Sequence, residues 1–331
     1  MSKSTSTSPQ SSRSPAHLLI AHIKALRPHQ WVKNVFVVAP LVFSGQFFSQ
    51  VAASSSAWAF LGFCLCASSI YLINDTVDYQ RDQAHPKKRL RPIARGAVKR
   101  GVAVALSVIC MTCGFWIGYS LNQATMGTLI AYVVMNIGYS LGLKHLFLVD
   151  VFFIAFGFLL RVSVGAFAIE VRLSPWLLLC TLFIALFLGL CKRRHERSSL
   201  GEDATKHRAL LASYSLPFLD QLILITASAT LMCYALYTID PFVCQRLNTN
   251  GLILTLPLVL FGIFRYLGLV YQRNEGGSPT QVVLKDRGIQ IILALYLLAC
   301  VTLIQQRVKL DLMDTQKINV PHHPSMTHSK K

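Results

Sequence analysis

Residues Trp58 to Asp82 read WAFLGFCLCASSIYLINDTVDYQRD, an apolar run to Ile73 that ends in Asn74 and the carboxylates Asp75, Asp78 and Asp82. On a helix that continues through this motif, at about 100° per residue, the three carboxylates fall within about 60° of one another. Carboxylates at the mouth of a membrane helix are costly unless something positive holds them. The stretch therefore predicts a membrane-spanning helix with a metal-assisted site for a charged substrate at its end.

Composition places the chain in the same class. Hydrophobic residues make up 53% of the 331 and charged residues 14%. Mean hydropathy is +0.49. These values describe an integral membrane protein rather than a soluble globule. Apolar segments run over Val35 to Phe48, Ala57 to Ile73, Val102 to Leu121, Met126 to Leu141, Leu146 to Ile169, Pro175 to Leu190, Leu222 to Ile239, Leu252 to Tyr271 and Ile289 to Ile304, nine in all. The first and fourth fall short of the ~20 residues that a spanning helix normally needs, so eight spans are also compatible.

The loops supply an orientation, because cytoplasmic connections collect Lys and Arg near helix ends. Arg81, Lys87, Lys88, Arg89, Arg91, Arg95, Lys99 and Arg100 lie between the second and third segments, and Lys192, Arg193, Arg194, Arg197, Lys206 and Arg208 between the sixth and seventh. The intervening connections are poor in basic residues. Both basic loops and the acidic motif then face the cytoplasm, and an odd number of spans puts the amino terminus inside and the carboxyl terminus outside. The chain is expected to sit in the inner (plasma) membrane as a multi-pass protein.

The Ser-rich residues 1–16 and residues 312–331 are too poor in apolar side chains to pack and are expected to be unstructured tails. A single catalytic membrane domain occupies 17–311. The amino-terminal tail lacks the apolar core of a cleaved signal peptide, so the first span itself directs insertion. The cysteines lie mostly in apolar spans, where a thiol acts as a small hydrophobe, and Cys110-x-x-Cys113 has no redox fold around it. Net charge is +18, but it is divided among short loops that face lipid headgroups, which argues against a nucleic-acid partner. Membrane lipid is the expected environment.

Charged residues beside or within the spans carry more information. Lys144 follows Tyr139 and Ser140 at the cytoplasmic end of the fourth segment, and Asp150 begins the fifth. Arg161 lies about 20° from Asp150 on the same helical face and about 16 Å further along the axis, deep in the hydrocarbon region. Arg265 raises the same question in the eighth segment. Each arginine has two readings, a buried structural pair or an anion-binding group in a polar chamber.

Hard carboxylate oxygens suit Mg²⁺, which keeps some waters and commonly bridges to substrate phosphates. A diphosphate held in that way becomes a good leaving group, because the metal and nearby Lys and Arg neutralise the charge that develops. The residues alone leave a polytopic enzyme and a transporter both open.

Asn74-Asp75-x-x-Asp78-x-x-x-Asp82 on the second span resembles the first aspartate motif of the UbiA prenyltransferase superfamily. The resemblance covers nearly the whole chain outside the tails. It is closest to the branch that acts on decaprenyl phosphate, in the opening Leu26 to Asn34, in His85 to Ala94, in Tyr139 to Lys144 with Asp150, in Gly157 to Arg161, and in Arg265-Tyr266 with Gly276 to Pro279 and Asp286-Arg287. The fold it implies is all-α, with about nine transmembrane helices around a central polar cavity open to the cytoplasm. One departure matters. Ordinary members usually carry a second D-x-x-x-D after the sixth span, whereas this chain has Gly189-Leu190-Cys191-Lys192-Arg193-Arg194-His195-Glu196.

The resemblance implies a Mg²⁺-dependent phosphoribosyltransferase that moves 5-phosphoribose from 5-phosphoribosyl diphosphate to a polyprenyl phosphate and releases diphosphate, in cell-envelope lipid-linked sugar synthesis. Asp75, Asp78 and Asp82 are then the catalytic metal ligands. Asn74, Lys33, Lys88, Arg91, Tyr139, Lys144, Asp150, Arg161, Lys192, Arg193 and Arg265 are the candidate substrate-binding residues. Glu196, four residues after Lys192, is read as a helix ion-pair partner before a catalytic one. An aromatic or quinone prenyltransferase is the alternative, disfavoured by the missing second aspartate motif, and a polyprenyl-lipid transporter is a further one. The sequence leaves the oligomeric state open, a homo-oligomer included.

Overall fold

The computed structural model describes residues 15–310, apart from 87, 144–145, 201–213 and 274. The tails expected at the two ends lie almost wholly outside this set. In chain order the helices are α1 (Pro15–Ala25), α2 (Ala39–Phe43), α3 (Gln50–Val77), α4 (Tyr79–Ala84), α5 (Arg100–Leu121), α6 (Gln123–Leu141), α7 (Val149–Ala168), α8 (Pro175–Leu200), α9 (Leu216–Ile239), α10 (Pro241–Leu247), α11 (Leu256–Gln272), α12 (Pro279–Lys285) and α13 (Arg287–Gln305). Short 3-10 segments cover Pro28–Val37, Lys88–Leu90 and Gly251–Thr255. The described residues form no strand.

Eight of these helices, α3, α5 to α9, α11 with the 3-10 segment before it, and α13, are long and apolar enough to cross a membrane. Their ends carry the polar residues that such ends need. Ser49 caps α3 by accepting from the Ala52 amide, Asn122 caps α6 through the Thr125 amide, Ser215 caps α9 and Asp286 caps α13. Helix α3 has 28 residues, or about 42 Å of length, so its last turns extend past a hydrocarbon core of about 30 Å. Asn74 and Asp75 stand on that projecting end.

The first predicted segment, Val35 to Phe48, is not one continuous helix. The chain turns at Arg27, whose φ is 55°, passes through the 3-10 segment and ends in the short α2. Pro28 and Pro40 stand at the starts of these pieces, where a missing N–H does no harm. At about 2.0 Å per residue in the 3-10 part and 1.5 Å in α2, the route still spans about 27 Å. Arg27 bonds to Asp75 at one end, while the Phe43 carbonyl accepts from Arg246 Nη2 at 3.0 Å at the other. Irregular backbone is tolerated at membrane depth when protein covers it, and here α3 and α7 do so.

Two packed groups meet on α7. Phe63, Ile70, Leu129, Tyr132 and Val164 form one core among α3, α6 and α7. Ala155, Phe187, Leu190, Leu219, Ile223, Ile263 and Tyr266 form the other among α7, α8, α9 and α11. Lipid is as apolar as these side chains, so close packing holds the helices together. A Cβ on Gly114 would lie 2.6 Å from Cys66 Sγ and 2.9 Å from the Gly62 carbonyl oxygen, so α5 approaches α3 backbone to backbone.

Both termini of the described chain fit an odd number of crossings. Helix α1 packs through Ala21 and Ala25 against Leu72, Ile93 and Val98 at the aspartate end. At the opposite end, Asn250 Nδ2 donates to the Leu310 carbonyl at 2.9 Å and the Leu310 amide returns a bond to Asn250 Oδ1 at 2.6 Å.

Candidate active site

Helix α3 ends at Val77, and Asp78, with φ −82° and ψ 8°, turns the chain into α4. The single helical face expected for the three carboxylates is therefore lost at Asp78. Asp75 and Asp82 are buried, 4% and 2% exposed, and they share one cation. Arg91 Nη1 lies 3.0 Å from Asp75 Oδ1 and 2.5 Å from Asp82 Oδ2. Arg27 Nη2 donates to both oxygens of Asp75, at 2.5 and 2.7 Å, and Lys88 Nζ stands 3.9 Å from Asp82. Asp78 is about a third exposed and faces Arg81 at 3.9 Å.

This geometry has a simple electrostatic origin. Two carboxylates brought together away from water repel each other unless cations intervene. Arg27 and Arg91 intervene here, and Arg91 draws Asp82 back toward Asp75 across the break. The pair thus converges on a single positive charge. That donor set suits a hard divalent cation whose remaining ligands come from water and substrate phosphate. Among the described residues no group of three His, Cys, Asp or Glu stands at metal-ligand spacing, so the fit is to a two-carboxylate, substrate-bridged ion.

Asn74 sits one residue before this cluster, and its Oδ1 accepts from Ser140 Oγ at 3.0 Å, tying α3 to the end of α6. Tyr139 stacks near Phe153, with ring centroids 5.9 Å apart. Lys144 lies outside the described residues. Lys33, on the 3-10 segment, has no hydrogen bond or ion pair to a described residue, and the charges that act on it are positive, those of Lys192, Arg161 and Arg27. Lys192 is partly exposed and stands 3.7 Å from Glu196. A field of cations therefore lies beside the carboxylates.

Other expected site residues are placed differently. Arg193 is 2% exposed and pairs with the fully buried Asp150 at 2.9 Å and with Glu196. Tyr214 donates to Asp150 at 3.1 Å. Burial and the neighbouring Asp150 charge push the Tyr214 hydroxyl up to about 12, which keeps it a donor. These groups join α7, α8 and the start of α9 from within and present no free face to a substrate. Arg265 is bound through Nε and Nη2 to Asp286, at 3.2 and 2.9 Å, so the structural-pair reading describes it.

Arg161 is buried, and its bonds go to neutral groups, Asn34 Oδ1 at 2.9 Å and the Gly157 carbonyl at 2.7 Å. Phe63, Tyr132 and Phe158 surround its guanidinium at 4.8 to 5.2 Å. Arg27 and Asn34 are site residues that the choice of candidates passed over. The available signal for Arg27 was a cation set directly before Pro28 at the head of an apolar segment. For Asn34 it was the three-residue spacing of Trp31, Asn34 and Val37.

A model of the UbiA prenyltransferase family matches residues 36–285. A decaprenyl-phosphate phosphoribosyltransferase of Mycolicibacterium smegmatis is 34% identical, over 84% of this chain and 90% of its own. The Corynebacterium glutamicum protein of that name is 35% identical, over 87% and 88%. Among solved structures, a UbiA homolog from Archaeoglobus fulgidus bound to GPP and Mg²⁺ superposes with a TM-score of 0.64 at 14% identity, covering 86% of this chain and 99% of that one. That likeness is one of fold. Sequence and fold together establish that the chain belongs to the UbiA prenyltransferase family.

Proposed function

We propose that the chain transfers 5-phosphoribose from 5-phosphoribosyl diphosphate to a polyprenyl phosphate and releases diphosphate. The observation that carries this reading is the asymmetry of the site, in a chain whose relatives of similar length bear the name of that reaction. Carboxylates converge on one positive charge at the end of α3. Lys33 on the first segment feels the charge of Lys192, which stands in the stretch where ordinary family members place a second acidic motif.

Asp75 and Asp82 would hold Mg²⁺, which when bound neutralises charge on the departing diphosphate, and Asp78, about a third exposed beside Arg81, is left out of that pair. Arg27, Lys88 and Arg91 already surround those carboxylates and turn to the diphosphate oxygens when the substrate arrives. Asn74, oriented by Ser140, and Tyr139 are placed for the ribose. Lys33 and Lys192 receive the lipid phosphate, in a field to which Arg161 contributes. An acceptor phosphate oxygen attacks the anomeric carbon, a C–O bond forms, and the bond to diphosphate breaks with its electron pair leaving on the diphosphate. The acceptor is already ionised at neutral pH, so the step needs no general base. The Lys and Arg of the loops beside it favour the cytoplasmic side of the plasma membrane for this site.

Purified protein incubated with labelled 5-phosphoribosyl diphosphate, Mg²⁺ and polyprenyl phosphate should give a lipid-soluble labelled product. A product formed only from prenyl diphosphate and an aromatic acceptor would overturn the reading. Asp75→Asn and Asp82→Asn should each lower turnover by about 100-fold or more, in keeping with several kcal/mol of lost charge stabilisation. Wild-type rates for these variants in excess Mg²⁺ would remove the metal assignment.

A further inference from the structure

Arg161 is a cation inside the membrane part of the protein with no carboxylate among its described partners. Keeping such a charge away from water costs several kcal/mol, and aromatic faces return only part of that. A role confined to packing would be met more cheaply by an apolar side chain. The partner that receives the Nε hydrogen bond is Asn34, whose Nδ2 in turn donates to Cys64 Sγ at 3.2 Å.

Asn34 belongs to a row. In a 3-10 helix residues three apart eclipse one another, so Trp31, Asn34 and Val37 point to one side of the segment. All three are fastened there. Trp31 Nε1 donates to Ser68 Oγ at 3.0 Å, and that hydroxyl donates to the Leu26 carbonyl at 2.8 Å. Asn34 is held by Arg161. Val37 presses its carbonyl so close to α7 that a Cβ on Gly165 would lie 1.8 Å from the oxygen. Lys33, one residue before Asn34, lies off this fastened row and feels the charges of Lys192, Arg161 and Arg27.

We infer that Arg161 is a positioning residue that acts through Asn34: it fixes the register of the Pro28–Val37 segment at membrane depth and thereby sets where the Lys33 ammonium stands in the phosphate pocket. The inference rests on the proposed reaction for its consequence, the loss of turnover, but not for its geometry. A one-residue slip of a 3-10 segment rotates every side chain by about 120°, which would carry Lys33 away from the pocket. An arginine with no carboxylate partner is well suited to prevent that slip, because Asn34 offers the acceptor that its Nε uses.

The test uses the full chain in lipid nanodiscs, with two readouts. The first is the acylation rate of Lys33 by a water-soluble amine reagent, followed by mass spectrometry. Asn34→Ala, which leaves every charge in place, should change that rate by about 3-fold or more, and the double variant should go no further than Arg161→Met alone, which also removes a charge felt at Lys33. Asn34→Gln, which keeps a neutral amide acceptor for Arg161, should label closer to wild type than Asn34→Ala while Tm reports folding. The second readout is kcat at saturating substrates, where loss of field at Arg161 matters least. Each single variant should lose about 10- to 100-fold, the double should match the worse single, and the Asn34→Ala effect should vanish in a Lys33→Met background. An unchanged Lys33 rate in Arg161→Met, or losses that multiply, would overturn the inference. A wild-type chain with no phosphoribosyl transfer would overturn the reaction instead, and the labelling result would still decide the positioning role.

Discussion

Asp286 performs two tasks at the start of α13. Its Oδ1 accepts from the Ile289 amide at 2.8 Å as the helix cap, and both oxygens accept from Arg265. The Arg265 hydrogen bonds first, and the amide bond with them, hold the carboxyl below its ordinary value against a smaller opposing effect of burial. A group whose folded value is lowered contributes stability above its unfolded value, near 3.9, and loses it as pH falls through the folded value. The Tm gap between wild type and Asp286→Asn should therefore be full at about pH 6 and shrink below about pH 4. A thermal scan across that range checks it, and a gap that grows on acidification would contradict the assignment. Sequence reading marked Arg265 as a cation in need of a partner but did not find one. The partner lies 21 residues away beyond α12, outside any helical spacing rule. For Asp75, Asp78 and Asp82 the residue types were legible and their geometry was not, because projection onto one face assumes a helix that Asp78 in fact ends.

At the scale of elements the first crossing depends on α7. Gly165 leaves room for the Val37 carbonyl, with 1.8 Å where a methyl would stand. Gly165→Ala must push the segment outward, and overpacking of this kind costs about 1–3 kcal/mol or more. The expected outcome is a lower Tm together with a loss of turnover out of proportion to it, measured on protein that still inserts. Retention of wild-type turnover would mean that the segment can move without disturbing the site. Eight of the predicted apolar segments fall on long helices, since hydropathy reports burial in lipid directly, with the sixth running on to Leu200 and the seventh beginning at Leu216. The second is extended at its amino end to Gln50. The first segment was recognisable by its apolar content but not by its conformation. A 3-10 stretch satisfies its backbone and side chains through neighbours distant in sequence, which a window along the chain does not contain.

At the scale of the molecule, charge is sorted by end. Asp75, Asp82, Asp150, Arg193 and the loop cations stand at one end of the bundle, while the last described residues are bonded at the other. Loop composition made this sorting legible before any coordinates. It predicts that a phosphatase active only after export will be active when fused to the carboxyl terminus, and that a reporter folding only in the cytoplasm will be silent there. The reverse pattern would require an even number of crossings.

The broken first crossing also bears on how the protein is made. A ribosome delivers residues 28–43 before any other crossing, yet their fasteners are Ser68 and Cys64 on α3 and Arg161 and Gly165 on α7. Backbone that is not helical has no refuge in lipid alone, so this part of the nascent chain has to wait at the membrane surface or in the translocation machinery until α7 emerges. A cysteine at Val37 in stalled nascent chains should react with a water-soluble thiol reagent before α7 is complete and become protected afterwards. The earliest crossing to be synthesised is then seated only after four later ones, α3, α5, α6 and α7, have emerged.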